Sequence, residues 1–406
     1  MSEPRTALCR PLETDDFHRV PRPAVFKELA ARGPVHRVVL PGEVSVWLIT
    51  DRAAAEAALR DPRLTKDPLP VARYGQAVGS RRVPEDFTAV SGRQLMNLDG
   101  LDHTRIRRVM GKYLSETAMA RRQAVIDEAI EDRLVALATR ETADLIADFA
   151  TPLALDVVGR MVGVPADLTK IIMLQGEKLL GPADPTDPDM VRAYHVVAEA
   201  VERAWQERTP EDGHGDLLEA LLRAQQDGLL SRREIASNLA MVVIGGVVTI
   251  PLLGYGAAKL LEDSRARTEL LTGDPGAVVE ELLRSDPPIS FTSWRFATEP
   301  MVVAGQAIEP GEAVMVLIVA ANDDAACPAA ARRGSRGPGH LSFGGGVHRC
   351  MGAHLARRTA ATAWPALLRR FPGLRLELPV EELVWYGGFG PRGPERIPIR
   401  LTGPRS

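Results

Sequence analysis

Cysteine is scarce in this chain: Cys9, Cys327 and Cys350 are the three cysteines among 406 residues. Three cannot make a disulfide framework, and their rarity suits a reducing compartment. It also counts against structural zinc, which usually draws on cysteines paired at short spacing. Blocks of like charge are missing, and a formal net charge of −3 gives neither nucleic acid nor an anionic membrane surface a reason to bind. The start, Met1-Ser2-Glu3-Pro4-Arg5, carries no apolar stretch, so neither leader nor N-terminal anchor is expected and the expected location is cytoplasmic. Linkers and internal repeats are also lacking, so one domain over residues 1–406 is expected. Lysine is confined to Lys27, Lys66, Lys112, Lys170, Lys178 and Lys259, which reads as coding bias rather than mechanism.

What is present is enough apolar residue, 45%, for a large core. Residues 239–258 carry no charge over 20 positions, long enough to cross a bilayer as a helix. Four glycines and Pro251 interrupt that run, and a span there would part the early hairpin from the later motifs. The expected reading is the central helix of a large soluble domain, apolar on every side, with no membrane. Residues 35–50 alternate around Pro41-Gly42 as a hairpin does. Residues 52–59 are alanine-rich and helical, 68–92 form a long loop of the kind that often binds something, and 118–180 read as amphipathic helices. Strands are expected over 302–321, turning at Pro310-Gly311. The sum is a mainly α fold with small β-sheets.

One stretch organises the chain: Phe343-Gly344-Gly345-Gly346-Val347-His348-Arg349-Cys350-Met351-Gly352. Leu355, Ala356, Ala360, Ala363, Leu367 and Leu368 follow at helical spacing, which sets Cys350 at a helix start, where unpaired N–H groups favour thiolate over thiol. The glycines at 344–346 let backbone lie against something flat, and Gly352 removes a side chain that would otherwise collide with it. The flat object implied is a haem. A buried structural cysteine would need none of these neighbours, and zinc would have to be improvised from His340, His348, Cys350 and His354.

The pattern Phe-Gly-x-Gly-x-His-x-Cys-x-Gly resembles the haem-binding loop of the cytochrome P450 family. The resemblance implies a single-domain cytochrome P450 fold in which Cys350 is the metal ligand of haem b (iron protoporphyrin IX), with Phe343, Gly344, His348 and Gly352 against the cofactor. Asp61-Pro62-Arg63-Leu64-Thr65-Lys66-Asp67 and Ala321-Asn322-Asp323-Asp324 also follow the family. His103 and Arg107, four apart on one helix face, and Arg295 match its propionate-binding residues. Glu281 and Arg284 match its buried Glu-x-x-Arg pair, a structural role. Gly245-Gly246-Val247-Val248-Thr249 aligns with the oxygen-activating segment of the central helix. There Gly245 and Gly246 would leave room for oxygen, and Thr249 could bond back to the Gly245 carbonyl. Val248 stands where the family has an acid, and Pro251 would free the Val247 carbonyl to hold a water. Met241, Ile244, Val248, Ile289, Phe291, Thr292 and Phe389 are the expected substrate-lining residues.

By the same resemblance the chain is a monooxygenase that oxidises a small organic molecule with O2 and electrons from a ferredoxin and ferredoxin reductase. Arg107, Arg108, Lys112, Arg349, Arg357 and Arg358 could form the basic face for that partner, or could simply be solvated. Two departures qualify the pattern: Val248, and residues 328–339, shorter than the family's meander and lacking its aromatic anchor. They leave open an atypical reaction (ring closure, coupling, desaturation or peroxide-driven oxidation) or a non-catalytic haem-binding protein.

Overall fold

Ser231 begins the element about which the others pack. Its hydroxyl accepts the Glu234 N–H while the Glu234 carboxylate accepts the Ser231 N–H, a reciprocal cap that starts a helix cleanly. In the computed structural model, which describes residues 24–40, 44–74, 93–180, 187–206, 208–209, 213–323, 339–386 and 390–401, this helix runs Arg232–Gly245. It tightens to a 3-10 turn over Gly246–Val248 and resumes as Thr249–Glu262. The Pro41-Gly42 turn, Cys9, Cys327, Phe389 and most of 328–339 lie outside the described residues.

The charge-free run is apolar all round because other elements cover it on several sides. A Cβ at Gly246 would stand 2.7 Å from Val158, one at Gly254 2.3 Å from Ile146, and one at Gly256 2.2 Å from Trp364. These neighbours sit on the Thr151–Val162 helix, a π-helical turn at Leu145–Ala150 and the Ala353–Arg370 helix. Trp364 Nε1 also donates to the Leu253 carbonyl at 3.0 Å, so this large ring is fixed by a polar contact as well as by packing. Length and composition alone would let the run cross a membrane, but most of it is buried within the protein.

The expected hairpin is present: Val35–Leu40 pairs antiparallel with Val44–Ile49. It extends into a five-stranded sheet whose next strands are Ala313–Val316, parallel to Val44–Ile49, then Arg295–Ala297 and Leu64–Thr65. Side chains alternate as a two-sided sheet requires. Leu48 joins Phe26, Phe291 and Met315 on one face, while Trp47 and Ile49 join Val314 and Leu59 on the other. Strand structure over 302–321 holds only in part. Met301–Val303 pairs with Gln306–Ile308 and Ala313–Val316 joins the large sheet, but Ile318–Asp323 is helical. Leu317 gives its N–H to Ile49, after which Ala321 N–H turns back to the Leu317 carbonyl at 3.0 Å, and alanines at 320 and 321 favour that helix.

Replacing Gly256 by Ala tests the packing. The gain in helix propensity is about 1 kcal/mol, whereas overpacking a filled core costs about 1–3 kcal/mol. With a ring carbon 2.2 Å from the new methyl, the urea midpoint of Gly256→Ala is expected to fall. An unchanged midpoint would show that Trp364 moves aside freely.

Candidate active site

The cysteine loop is shaped by its glycines. Gly344 and Gly346 have φ of 67° and 66°, a region that L side chains rarely enter. At Gly346 a Cβ would also stand 2.3 Å from the Leu59 carbonyl oxygen. The turn closes when Cys350 N–H donates to the Phe343 carbonyl at 2.9 Å. At Gly352 a Cβ would meet Cys350 Sγ at an ordinary 3.8 Å, so protein packing alone does not demand a glycine there.

Cys350 lies three residues before the Ala353–Arg370 helix. The residue is exposed, although protein atoms surround its sulfur densely. Burial pushes its thiol pKa up, against the N–H groups of Gly352 and Ala353 and the guanidinium groups of Arg107 and Arg357, which pull it down. The expectation that the helix start alone favours thiolate is thus reversed: desolvating the anion outweighs the donors. A cation at the sulfur would restore it.

Near the loop lies a basic cluster that sequence reasoning saw only in part. His103 is buried with Nε2 unpartnered, and its ring stands 4.4 Å from that of His348. Burial, then His348 and Arg107, lowers its pKa to about 4. Arg295 is buried with Nε unpartnered. His348, expected to hold the cofactor, shares Nε2 with Asp99 Oδ1 at 2.6 Å. Asp99 Oδ2 accepts from the Thr65 hydroxyl and the Lys66 N–H, each at 2.6 Å. Burial raises the Asp99 pKa, but the His348, Thr65 and Lys66 bonds outweigh it and hold the carboxyl well below the usual range. Arg107 leans toward the cysteine loop and donates through one guanidinium nitrogen to the Arg349 carbonyl at 2.8 Å. Asp99 and Lys66 were missed as site residues; the Asp99-Gly100 cap and the Thr65-Lys66 strand end were their available signals.

These residues fit a haem. Buried N–H groups without partners suit its carboxylates, and the left-handed glycines give the close backbone approach that a flat ring demands. Among the described residues no three of His, Cys, Asp and Glu are placed to hold a bare metal ion, so the improvised zinc set is not assembled.

No protein-family model matches the chain. Cytochrome P450 monooxygenase PikC of Streptomyces venezuelae is 32% identical over 95% of this chain and 92% of its own. The chain belongs to the cytochrome P450 family. Vitamin D(3) 25-hydroxylase of Pseudonocardia autotrophica is likewise 32% identical, over 96% of both chains. Among solved structures, the P450 CxnD, for C–S bond formation in chuangxinmycin biosynthesis, superposes with a TM-score of 0.85 at 27% identity over 98% of each chain. The expected P450 fold is therefore present, the protein is an oxidoreductase of the P450 monooxygenase type, and its cofactor is a haem.

Within this P450 the central helix does less at some positions than expected. Gly245 is exposed, and a Cβ there would meet nothing within 4 Å. Gly246 packs on Val158 and Met173, so of the two glycines Gly245 alone leaves space. No bond runs from the Thr249 hydroxyl to the Gly245 carbonyl among the described residues, because the 3-10 turn shortens the spacing and aims the Thr249 N–H at Gly246 and Val247 instead. The Val247 carbonyl, denied an N–H by Pro251, is therefore not wholly free.

The expected lining residues also divide. Met241 and Val248 are half-buried. Ile244 packs on Gly176, where a Cβ would stand 2.2 Å away, and Phe291 sits edge-on to Phe26 at 5.6 Å; both are buried. The Thr292 hydroxyl accepts the Val316 N–H at 3.0 Å, and Ile289 bridges to Pro391. Two further hollows, about 20 Å³ beside Pro251 and about 430 Å³ beside Arg160, do not touch Cys350.

Glu281 and Arg284 form a two-bond pair at 2.7 and 2.9 Å, with Glu281 half-exposed rather than buried. Arg284 also donates to the Asn322 carbonyl at 3.1 Å, and Asn322 Oδ1 accepts the Leu341 N–H at 2.7 Å, so the pair steadies the entry to the cysteine loop. Of the basic proximal side chains, Arg108, Lys112 and Arg349 are exposed. Arg357 instead pairs with Glu280 and covers the Phe343 ring at 4.4 Å, and Arg358 donates to Gln123.

Asp99→Asn probes the cluster. A carboxyl whose folded pKa is depressed gives stability that is present above its unfolded value, near 4, and lost as pH falls through the folded one. Urea midpoints of the wild type are expected to drop more between pH 5 and pH 3 than those of Asp99→Asn. Equal drops would mean that Asp99 titrates as it does in the unfolded chain.

Proposed function

We propose that this P450 holds haem b through a Cys350 thiolate and oxidises a small, largely apolar organic molecule in bacterial secondary metabolism, with dioxygen and electrons from a ferredoxin and its reductase. The observation that carries this reading is the Cys350 sulfur bordered by the Gly352 and Ala353 N–H groups, Arg107 and Arg357, in a molecule whose basic cluster keeps unpartnered donors on His103 and Arg295. Relatives alike over 95–96% of the chain support one domain over 1–406, and the buried central helix favours a cytoplasmic enzyme that uses no membrane. When bound, a haem with a thiolate ligand activates dioxygen strongly enough to attack C–H bonds.

The chain's own groups have definite tasks in this reading. The N–H groups of Gly352 and Ala353 and the guanidinium groups of Arg107 and Arg357 stabilise negative charge on Cys350 Sγ. His103, Arg107 and Arg295 orient the cofactor through its carboxylates. Gly245 leaves the space beside the central helix, while Phe343 carries Arg357 on its ring face. Arg108, Lys112 and Arg349, all exposed, offer the acidic ferredoxin a cationic face. Reduction of dioxygen consumes protons, and Val248 has none to give. Thr249 Oγ1 is the protic group on this turn, half-exposed and not committed to the Gly245 carbonyl, so the proton passes through it.

Val248 also favours a second reading, in which a polar group of the substrate supplies the proton and the outcome is ring closure, coupling, desaturation or peroxide-driven oxidation. The likeness to CxnD, a P450 for C–S bond formation, supports keeping it.

Cys350→Ala is expected to lose the red-shifted Soret band of the ferrous–CO complex that the wild type shows; a band that survives the substitution would overturn the ligand assignment. Thr249→Ala is expected to divert reducing equivalents into hydrogen peroxide while substrate still binds. Unchanged product and peroxide yields, with the authentic substrate and a competent reductase, would move the proton source to the substrate.

A further inference from the structure

Lys66 is a buried lysine without an acid of its own. The ladder pairs Leu64 with Ala297 and Thr65 with Phe296, so the next step brings Lys66 abreast of Arg295. Like charges opposite one another on neighbouring strands destabilise a sheet, and both side chains are buried, Lys66 at 6% and Arg295 at 5% exposure. Asp99, the acid that acts on both, is already occupied. Its Oδ1 takes His348, and its Oδ2 takes the Thr65 hydroxyl and the main-chain N–H of Lys66, not the ammonium group. Lys66 Nζ rests on the Ser293 hydroxyl. Among the described residues no carboxylate pairs with Lys66 Nζ or with the Arg295 guanidinium. Two cations buried together with one shared acid leave a place for one more anion. Burial, then Arg295, lowers the Lys66 pKa to about 7 against the pull of Asp99.

We propose that Lys66 and Arg295 form a paired-cation clamp for one carboxylate of the cofactor, with Ser293 positioning the ammonium. The clamp rests on the haem b reading, since it needs a propionate. It gives Lys66 a cofactor-binding role and explains why a lysine is buried at a strand end.

The test measures haem transfer from the loaded protein to an excess of a haem-free acceptor haemoprotein. Lys66→Met is expected to release haem roughly ten- to a hundredfold faster than wild type, the span of one lost charge-assisted bond, while Lys66→Arg stays near wild type. Loading with haem dimethyl ester, whose carboxylates are capped, is expected to erase the difference between wild type and Lys66→Met. The haem-free Lys66→Met protein is expected to unfold at a urea concentration no lower than wild type, because the cation it removes lacks its anion in that state. Release at the wild-type rate would overturn the clamp, as would an equal acceleration with the dimethyl ester, which would mark Lys66 as purely structural. The Soret band of the wild-type ferrous–CO complex tests the haem-thiolate reading separately, so failure of that reading and failure of the clamp are told apart.

Discussion

Backbone packs against backbone where Gly346 meets Leu59, and no side chain can enter between them. A Cβ would stand 2.3 Å from the Leu59 oxygen, and φ is already at 66°. The Arg52–Arg60 helix thereby becomes the wall on which the cysteine loop is formed. The same helix reaches the loop's approach, for Arg52 donates to the Gly339 carbonyl at 2.5 Å. From the other side the loop is held through Asn322, whose carbonyl and side-chain oxygen connect Arg284 to Leu341. Fixed on both sides, the loop can end in the bond from Cys350 N–H to Phe343 O, and the direction of the sulfur follows. A flexible loop would leave that direction to the ligand and lose affinity to ordering.

Charge is the second constraint. Lys66, Arg295, His103 and His348 surround Asp99, and burial opposes the cationic form of each. In the reading that places cofactor carboxylates here, they would offset part of the cost of burying these cations together. Cys350 is the mirror image: a potential anion whose desolvation outweighs four neighbouring donors until a cation meets the sulfur. In the proposed reading, a haem, with its carboxylates and its metal, would balance both charges.

Much of this was legible in the sequence. The glycines before Cys350, the hairpin and the charge-free central run each follow from local rules, and local rules survive folding. What the sequence could not show were preferences settled by a neighbour from far along the chain. Gly245 and Gly246 look alike until Val158 and Met173 claim one of them. Nothing in the sequence shows that Ile244 packs on Gly176 or that Phe291 meets Phe26 edge-on. Asp99 reads as a helix cap, yet its side chain caps nothing and serves Thr65, Lys66 and His348 instead. A cap preference worth about 1 kcal/mol gives way to several charge-assisted bonds.

The break in the central helix can be traced to the same kind of contest. Gly246 must come close to Val158 and Met173, and Pro251 withholds the N–H that the Val247 carbonyl would otherwise receive. A regular α-helix cannot satisfy that carbonyl, so the chain tightens over Gly246–Val248 and points the Thr249 N–H at Gly246 and Val247. This satisfies main chain with main chain and leaves the Thr249 hydroxyl uncommitted. Packing on one side and proline on the other therefore suffice to set this turn without an acid at 248. With valine at 248, the space beside Gly245, where a Cβ would meet nothing within 4 Å, is shaped by the packing of the fold.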